Sequence, residues 1–202
     1  MRIIEEKMHN TISNEFFRRL YIKENIFLDA GLIIFGSLFI AASAQLVVFL
    51  PFSPVPITGQ TFAVLLTGGL LGAKKAGLSV TLYVLEGLSG LPVFAGGTGG
   101  LAVLFGPTAG FLCGFIPAAV LVGYMAERSF DRNYASMAFT LILGQAVIYL
   151  FGVLRLLAFA NFESAIQMGV YMFLIGDALK IGLAMMLLPS GWKLLAKKQS
   201  NI

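Results

Sequence analysis

Long apolar runs without charges dominate the chain, and short segments with charges, prolines or glycines separate them. The first run, residues 30–50, is long enough to cross a hydrocarbon core of about 30 Å at about 1.5 Å per helical residue. Five more runs follow at 58–73, from 76 onward, at 106–126, at 133–154 and at about 164–192. This pattern predicts an all-α integral membrane protein with six transmembrane helices.

Two connections between these runs differ from ordinary water-exposed loops. Prolines end the first run at residues 51–57, where a helix cannot continue. The segment 89–104 is rich in glycine but also carries Leu91, Phe94 and Leu101. Irregular backbone at membrane depth is tolerated only where protein buries it or a cavity solvates it. We therefore expect a glycine-rich outer loop between helices 3 and 4 that covers a substrate pocket. The alternative is a re-entrant loop that serves only packing.

The composition excludes a water-soluble globular domain and a disordered chain. Of the 202 residues, 58% are hydrophobic and 12% are charged, whereas a soluble domain carries about 25% charged residues. In a soluble protein the net charge of +4 would suggest nucleic acid as a partner. Here the basic residues cluster at the ends of the apolar runs, so membrane topology explains them better and no nucleic-acid partner is expected.

The basic residues also orient the chain in the lipid bilayer. With a cytoplasmic N-terminus, every Lys and Arg except Arg155 and Lys180 falls on the cytoplasmic side. A multi-pass protein of the cell (cytoplasmic) membrane with both termini inside is therefore predicted. Its expected parts are a cytoplasmic N-terminal segment at 1–28, a six-helix substrate-binding domain at 29–193 and a basic cytoplasmic tail at 194–202. In the first part, apolar residues at four-residue spacing suggest an amphipathic helix; they are Ile4, Met8, Ile12, Phe16 and Leu20.

Residue types that enzymes and metal sites need are scarce. The single cysteine, Cys113, excludes an internal disulfide, and with the single histidine, His9, no metal site is expected. The dipeptide Gly-Lys does not occur, so the chain lacks a Walker A motif with which to hydrolyse ATP. A nucleophile paired with a histidine is not available within the membrane. The chain is therefore not expected to be an enzyme.

Three charged residues, Glu86, Asp177 and Lys180, lie inside the apolar runs. A charge at the bilayer centre costs about 2.5–3.5 kcal/mol on insertion scales, so such residues face the interior and pair. Asp177 and Lys180 are three residues apart and share one helix face. Because a buried ion pair adds little net stability, its presence favours a functional role over a purely structural one. Glu86 adjoins the glycine-rich loop and is predicted to line the cavity, with a merely wetted helix end as the alternative.

Weaker candidates lie in the fifth and first runs. Arg155, at the outer end of the fifth run, is either an interfacial anchor or a residue that attracts anions to the pocket mouth. Tyr149, in the same run, is either an interior hydrogen-bond donor or ordinary packing. Ser37 and Ala41 form a small-xxx-small pair in the first run, which suggests a face for close helix packing.

Four segments, in this order and with sensible spacing, resemble the BioY family, the biotin-specific substrate-binding (S) components of energy-coupling factor (ECF) transporters. They are PVPITGQTFAVLL at 54–66, GLPVFAGGTGGLA at 90–102, GPTAG at 106–110 and GDALK at 176–180. The resemblance implies six membrane helices that bind biotin from the outer side. It also implies a transmembrane coupling protein and two ATPase subunits as partners, which would supply the P-loops that this chain lacks. Biotin would be the transported ligand, and no cofactor is implied.

The resemblance and the charges together suggest a binding hypothesis. Asp177 and Glu86 would accept hydrogen bonds from the ureido N–H groups of biotin, and Lys180 would donate to its carbonyl. Phe94 and Tyr149 would enclose the apolar body, and Gly97 and Thr98 of the loop would also bind the substrate. Arg155 would attract the carboxylate tail, while Ser37 and Ala41 would meet the coupling subunit.

Three other interpretations stay open at this stage. The chain could be an S component for another small vitamin, because such proteins share an architecture and differ in their pockets. It could be a small intramembrane enzyme that uses Glu86 and Asp177 as acid and base. Finally, it could be a structural membrane protein, which the charges at membrane depth disfavour.

Overall fold

The computed structural model describes residues 11–19, 25–51 and 53–197. Its helices are α1 (Ile12–Arg19), α2 (Ile26–Ala44), α3 (Gln60–Leu88), α4 (Ala109–Glu127), α5 (Tyr134–Leu156), α6 (Phe162–Ile166) and α7 (Leu174–Lys197). A π-helical turn, Gln167–Tyr171, connects α6 to α7. The glycine-rich loop contains the 3₁₀ turns Ala95–Gly97 and Leu101–Phe105. Strands β1 (Val47–Val48) and β2 (Ile57–Thr58) form one antiparallel pair.

Helix α3 is a hairpin of two short helices rather than one long rod. Gly72 interrupts it with φ 81° and ψ 173°, a conformation open essentially only to glycine. The Gln60 amide donates a hydrogen bond to the Tyr83 hydroxyl, 23 residues further along the chain. A straight helix would separate these residues by about 35 Å. The chain therefore reverses direction at Gly72, and the halves 60–71 and 73–88 lie side by side.

The expectation of an all-α membrane protein with six helices is confirmed. Among the described residues, five helices are long and apolar enough to cross a membrane; they are α2, α3, α4, α5 and the continuous stretch Phe162–Leu195. Because α3 doubles back at Gly72, it contributes two shorter helices and brings the total to six. The chain is thus a multi-pass membrane protein. The halves of α3 measure about 18 and 24 Å, less than the bilayer core, as the short second and third runs predict.

The helices pack around the two halves of α3. Helices α2, α4 and α7 contact α3, while α5 packs against α4 and α7. The centre of the bundle is filled by fully buried apolar side chains, among them Ile40, Val64, Val80, Val122, Leu141 and Ile148. Helix α1 lies across one end of the bundle, against α3 and α7.

Only part of the predicted N-terminal amphipathic helix lies within the described residues. Ile12 packs against the core and Phe16 is half-exposed, while Ile4, Met8 and Leu20, with His9, lie outside the described residues. So do residues 198–202 of the predicted basic tail. The division of the chain into an N-terminal segment, a membrane domain and a tail stays a prediction.

The largest boundary difference concerns the first membrane helix. The apolar run extends to residue 50, but α2 ends at Ala44. Residues 47–48 pair instead with residues 57–58, in the register Val47 with Thr58 and Val48 with Ile57. β-Branched side chains suit this extended pairing, and the prolines at 51, 54 and 56 keep the enclosed loop from becoming helical.

The end of the bundle next to α1 collects basic residues, and we call it the basic end; its residues include Lys74, Lys75, Arg128, Arg132 and Lys193. Several contacts tie this end together. The Lys75 ammonium lies 2.9 Å from the Asp29 carboxylate. The Glu127 carboxylate accepts from the Ala73 backbone N–H at 2.8 Å, so α4 caps the second half of α3. These contacts join helices α2 and α4 to the second half of α3 at the basic end.

A buried carboxyl group at the basic end has an unusual environment. Asp131, between α4 and α5, is fully buried and accepts a hydrogen bond from the Trp192 indole at 2.5 Å. Its Oδ1 atom has no hydrogen-bond partner. Burial raises the pKa of Asp131 from 3.8 to about 6, against the opposing effects of the Trp192 hydrogen bond and the Arg132 charge.

Asparagine at position 131 is expected to make folding stability less dependent on pH. Because the folded pKa is raised, folding favours the protonated carboxyl, and this stabilisation is lost as the pH rises from 3.8 to about 6. Between about pH 5 and about pH 7.5 the natural protein should lose roughly 1 kcal/mol relative to Asp131→Asn. Thermal unfolding of both proteins in detergent at these pH values measures the difference. Equal changes in both proteins would contradict the prediction.

Candidate functional site

A cavity of about 220 Å³ opens at the end of the bundle opposite the basic end. The first half of α3, helices α4, α5 and α7, the β1–β2 connection and the glycine-rich loop all line it. Its walls are mostly apolar and include Val55, Phe94, Phe111, Leu112, Phe115, Ile148 and Phe173. Its polar lining residues are Thr58, Gln60, Thr61, Thr98, Thr108, Gln145, Tyr149, Asp177 and Lys180. An apolar enclosure with a few convergent polar groups is the usual form of a small-molecule site.

Asp177 is the centre of the polar network. Its Oδ2 atom accepts from the Gln145 amide at 2.7 Å and from the Tyr149 hydroxyl at 2.6 Å. Gln145 and Tyr149 are four residues apart on α5, so their side chains share a face that points at Asp177. Since the carboxylate is almost fully buried, these donors replace the water that it would otherwise bind.

Lys180 completes the network on the other side of Asp177. Its ammonium lies 2.8 Å from Asp177 Oδ1 and also donates to the Thr61 hydroxyl at 3.1 Å. The Thr61 hydroxyl lies 3.4 Å from the same Oδ1 atom, which makes a weak hydrogen bond. An ammonium has three donors, and these two contacts occupy two of them. The pair therefore offers a ligand one N–H of Lys180 and the position at Asp177 Oδ1 where the long hydrogen bond from Thr61 ends.

The break between α6 and α7 positions this pair. The π-helical turn Gln167–Tyr171 is followed by α7, whose first turn contains Asp177. Short π-helical insertions are frequent at functional sites because they re-aim the side chains that follow. Phe173, at the break, lines the cavity, and its carbonyl accepts the Asp177 backbone N–H at 2.8 Å. The irregular turn thus brings an aromatic wall and the charged pair to one cavity.

Phe94 anchors the glycine-rich loop over the cavity. Its ring packs edge-on against Tyr83, with centroids 5.5 Å apart, and lies against the backbone of Gly87. A Cβ atom at position 87 would collide with this ring, so glycine is needed there for the close approach. The Phe94 carbonyl also accepts from the Gln45 amide at 3.4 Å. The glycine-rich loop thus lies against the cavity, which Phe94, Ala95, Thr98 and Val103 line.

Arg155 holds the second part of this loop. Its guanidinium donates to the backbone carbonyls of Leu104, Phe105 and Gly106, at 3.3, 2.6 and 3.1 Å. Arg155 does not line the cavity. The structure therefore corrects the expectation that it attracts anions at the pocket mouth, because its side chain lies outside the cavity and its Nε and Nη2 atoms donate to the loop backbone.

Glu86 also lies apart from the cavity. Its carboxylate accepts a hydrogen bond from the Ser37 hydroxyl, between α2 and the second half of α3. It is not among the lining residues, although it precedes the loop as predicted. A helix turns by about 100° per residue, so proximity in sequence to the loop does not direct the side chain into the cavity.

Ser37 and Ala41 are buried inside the bundle rather than presented to a partner. Ser37 faces Glu86, and the neighbouring Gly36 lies tightly against Ser79 of α3. The small residues thus serve contact between helices of this chain, which corrects their assignment to the coupling-subunit interface. The exposed face of α2 carries Ile34, Phe35 and Leu38 instead.

The other predicted residues of the site also fall into two groups, those that line the cavity and those that do not. Asp177, Lys180, Tyr149, Phe94 and Thr98 line the cavity. Gly97 lies in the covering loop, exposed and with φ 73°, but does not line the cavity. Within the described part of the chain, no group of three or more His, Cys, Asp or Glu residues is arranged to hold a metal ion.

Several lining residues were not predicted. Gln145 is a polar residue inside an apolar run, one turn before Tyr149, and that pattern was a usable signal for an interior hydrogen-bond donor. Thr58, Gln60 and Thr61 stand within the segment 54–66 that carries the resemblance. Phe111, Phe115, Ile148 and Phe173 have no distinguishing signal, because apolar residues in membrane helices face lipid and cavity alike.

Comparison with known proteins bears on what this cavity holds. The model of the BioY family matches residues 18–197. The biotin transporter BioY of Rhizobium etli is 36% identical over 163 residues, which cover 76% of this chain and 87% of the relative. The biotin transporter BioY of Thermotoga maritima is 36% identical over 136 residues, covering 67% of this chain and 79% of the relative.

A solved structure shares the fold. It is the crystal structure of the S-component for biotin from an ECF-type ABC transporter, with a TM-score of 0.75 and 24% sequence identity. The alignment covers 85% of this chain and 95% of the solved one. The arrangement of helices described above is therefore the arrangement of that S component.

Proposed function

Since the chain belongs to the BioY family, we propose that it binds biotin in the cavity and serves its uptake as the S component of an ECF-type transporter. The observation that carries the proposal is the Asp177 network at the base of an apolar cavity. It is a binding subunit and not an enzyme, in keeping with relatives that are biotin transporters.

The chemistry of biotin matches the groups in the cavity. Biotin has a ureido group with two N–H donors and one carbonyl, fused to an apolar sulfur ring that carries a carboxylate tail. Asp177 accepts from a ureido N–H at Oδ1, in place of the long hydrogen bond from Thr61, and Lys180 donates its third N–H to the ureido carbonyl. Hydrogen bonds to charged groups contribute about 1.5–3 kcal/mol each.

The apolar body of biotin lies between aromatic walls. Phe94 covers it from the loop, while Phe111 and Phe173 pack against each other on the helical side, with centroids 6.2 Å apart and ring planes inclined by 53°. Tyr149 presents its ring to the same space and its hydroxyl to Asp177. Burial of apolar surface contributes about 25 cal/mol per Å², so the walls add affinity while the charged pair selects the ureido group.

Because basic residues are enriched on the cytoplasmic side of membrane proteins, the basic end lies at the cytoplasmic face of the cell membrane. The cavity, at the opposite end, then faces outward. The partners are a transmembrane coupling protein and two ATPase subunits, which provide the ATP hydrolysis that this chain has no motif for. Contact with the coupling protein involves the exposed apolar face of α2, with Ile34, Phe35 and Leu38.

Titration calorimetry of the purified chain without partner subunits tests the proposed ligand. We expect saturable biotin binding with a one-to-one stoichiometry and no binding of riboflavin or thiamine. Binding of another vitamin in place of biotin would identify an S component of different specificity. Release of a chemically altered product from bound biotin would instead indicate an enzyme. Either result, binding of another vitamin in place of biotin or turnover of biotin, would overturn the proposal.

Glutamine at position 155 is expected to weaken biotin binding by about tenfold, mainly through faster dissociation. The variant removes charge-assisted hydrogen bonds that hold the loop at 104–106, each worth about 1.5–3 kcal/mol. A loosened cover raises the off-rate because bound ligand escapes more often. Stopped-flow release of labelled biotin measures this rate.

Arg128→Gln is the matched control for Arg155→Gln. Arg128 lies at the basic end, where its guanidinium donates to the Tyr124 carbonyl at 3.5 Å and lies over the Tyr124 ring. It therefore makes the same change of charge without contact to the loop, and its off-rate should equal that of the natural protein. Equal off-rates in both variants would refute the role of Arg155 as the clamp of the loop.

A further inference from the structure

The charges that line the cavity cancel each other. Among the lining residues that the structure describes, Lys180 is the cation and Asp177 the anion, and they form an ion pair at 2.8 Å. Asp177 accepts further hydrogen bonds from Gln145 and Tyr149. Its charge is therefore matched within the protein, and the pair leaves no net positive charge for a ligand carboxylate.

The rim of the cavity adds no cation. Phe49, Pro54 and Thr98 are its exposed lining residues, and all three are uncharged. The Thr98 hydroxyl already donates to the Ala95 carbonyl at 3.1 Å. Arg155, a basic residue near the loop, donates through Nε and Nη2 to the backbone carbonyls at 104–106, and its side chain does not line the cavity.

A carboxylate buried in such a cavity would be strongly disfavoured. Removing an ionised group from water costs several kcal/mol unless a counter-charge and hydrogen bonds replace its hydration. At the rim, by contrast, the ion keeps its water. The ureido head has complementary groups at the base of the cavity, so the tail is the end that points to the rim.

Resting on the proposed function, we infer that this chain recognises biotin by its ring system alone and leaves the carboxylate in water. Its ligands are then biotin and also biotin whose carboxyl group is masked as a neutral ester or amide. The ester has the same ring system and apolar chain, so it retains every contact that the cavity provides. The substrate class is thus wider than free biotin.

Competition against labelled biotin, with the purified full chain, tests this inference. We expect biotin, biotin methyl ester and biotin joined by an amide to a lysine side chain to bind within about threefold of each other. Biotin methylated on a ureido nitrogen should bind at least about tenfold more weakly, because Asp177 loses a donor. An ester that binds tenfold or more weakly than biotin would overturn the inference, whereas failure of biotin itself to bind would overturn the proposed function.

Substitution at the rim gives a second and independent test. Thr98→Arg places a cation next to the expected position of the tail and should raise the affinity ratio of biotin over its methyl ester by about three- to fivefold. Thr98→Met adds similar bulk without charge and should leave this ratio near one. An unchanged ratio in Thr98→Arg would show that the tail does not reach the rim and would overturn the inference.

Discussion

Replacing Asp177 with asparagine is expected to lower the affinity for biotin by at least about 100-fold, the equivalent of about 2.7 kcal/mol. Asp177 accepts from Gln145 Nε2, Tyr149 Oη and Lys180 Nζ, at 2.7, 2.6 and 2.8 Å. An asparagine keeps one acceptor oxygen and turns the other into a donor. It cannot serve all of these groups and a ureido N–H as well.

The same substitution leaves the Lys180 ammonium without its counter-charge. Breaking a buried ion pair by removing one partner costs about 3–5 kcal/mol, so loss of binding has to be separated from loss of fold. The double variant Asp177→Asn with Lys180→Met removes both charges and should recover most of the thermal stability. Its biotin affinity should stay at least about 100-fold below that of the natural protein.

Calorimetric biotin titration and the unfolding midpoint in detergent, measured on the same preparations, give the two readouts. Recovery of both stability and affinity in the double variant would show that the pair serves structure and that Asp177 does not contact the ligand. Natural affinity in Asp177→Asn alone would remove Asp177 from the binding site.

Alanine at position 72 is expected to destabilise the fold by about 2–4 kcal/mol. The backbone of Gly72 has φ 81° and ψ 173°. Residues with a Cβ atom avoid this conformation. A Cβ there would also collide with the Glu127 carboxylate that caps Ala73 and would lie 2.9 Å from a methyl carbon of Thr11. Relief of either strain would open the hairpin of α3 or detach α1 and α4 from it.

Gly182→Ala provides the matched control for this prediction. Gly182 lies within α7, and a Cβ there would meet no atom within 4 Å. Alanine should leave stability unchanged or raise it by about 0.5–1 kcal/mol, because it favours the helix. Unfolding midpoints of the detergent-solubilised variants compare the two sites. If Gly72→Ala unfolds at the same temperature as Gly182→Ala, the turn does not depend on glycine.

The membrane helices were predictable because a helix hydrogen-bonds all of its own backbone groups within the lipid, and its side chains must be apolar over the full thickness of the membrane. Such helices therefore appear in the sequence as long apolar runs. Glycine and proline indicated connections at residues 51–57 and 89–104, where none of the long helices runs. The end of α2 at Ala44 was not predictable from hydropathy, since residues 45–50 are as apolar as the helix. Pairing of Val47 and Val48 with Ile57 and Thr58, which hydropathy does not reveal, decided that boundary.

The site was predictable only in part. Charge inside a membrane is costly, so Asp177 and Lys180 stood out without a structure. The same argument singled out Glu86, which instead contacts Ser37 between two helices. The high cost of a charge in the membrane shows that it needs a partner, but does not show whether that partner is a ligand or another side chain. Arg155 illustrates the same point, because its partners are backbone carbonyls at 104–106.

By itself, the sequence determined the number of helices and the identity of the charged pair, because these depend on composition and local spacing. Only the tertiary structure decided which polar residues meet Asp177, which aromatic rings enclose the cavity and which small residues face inward. These depend on how helices distant in the chain rotate against each other, as Gln145 on α5 and Thr61 on α3 do around Asp177. Rotation is set by the packing of whole helix faces, which no single segment encodes.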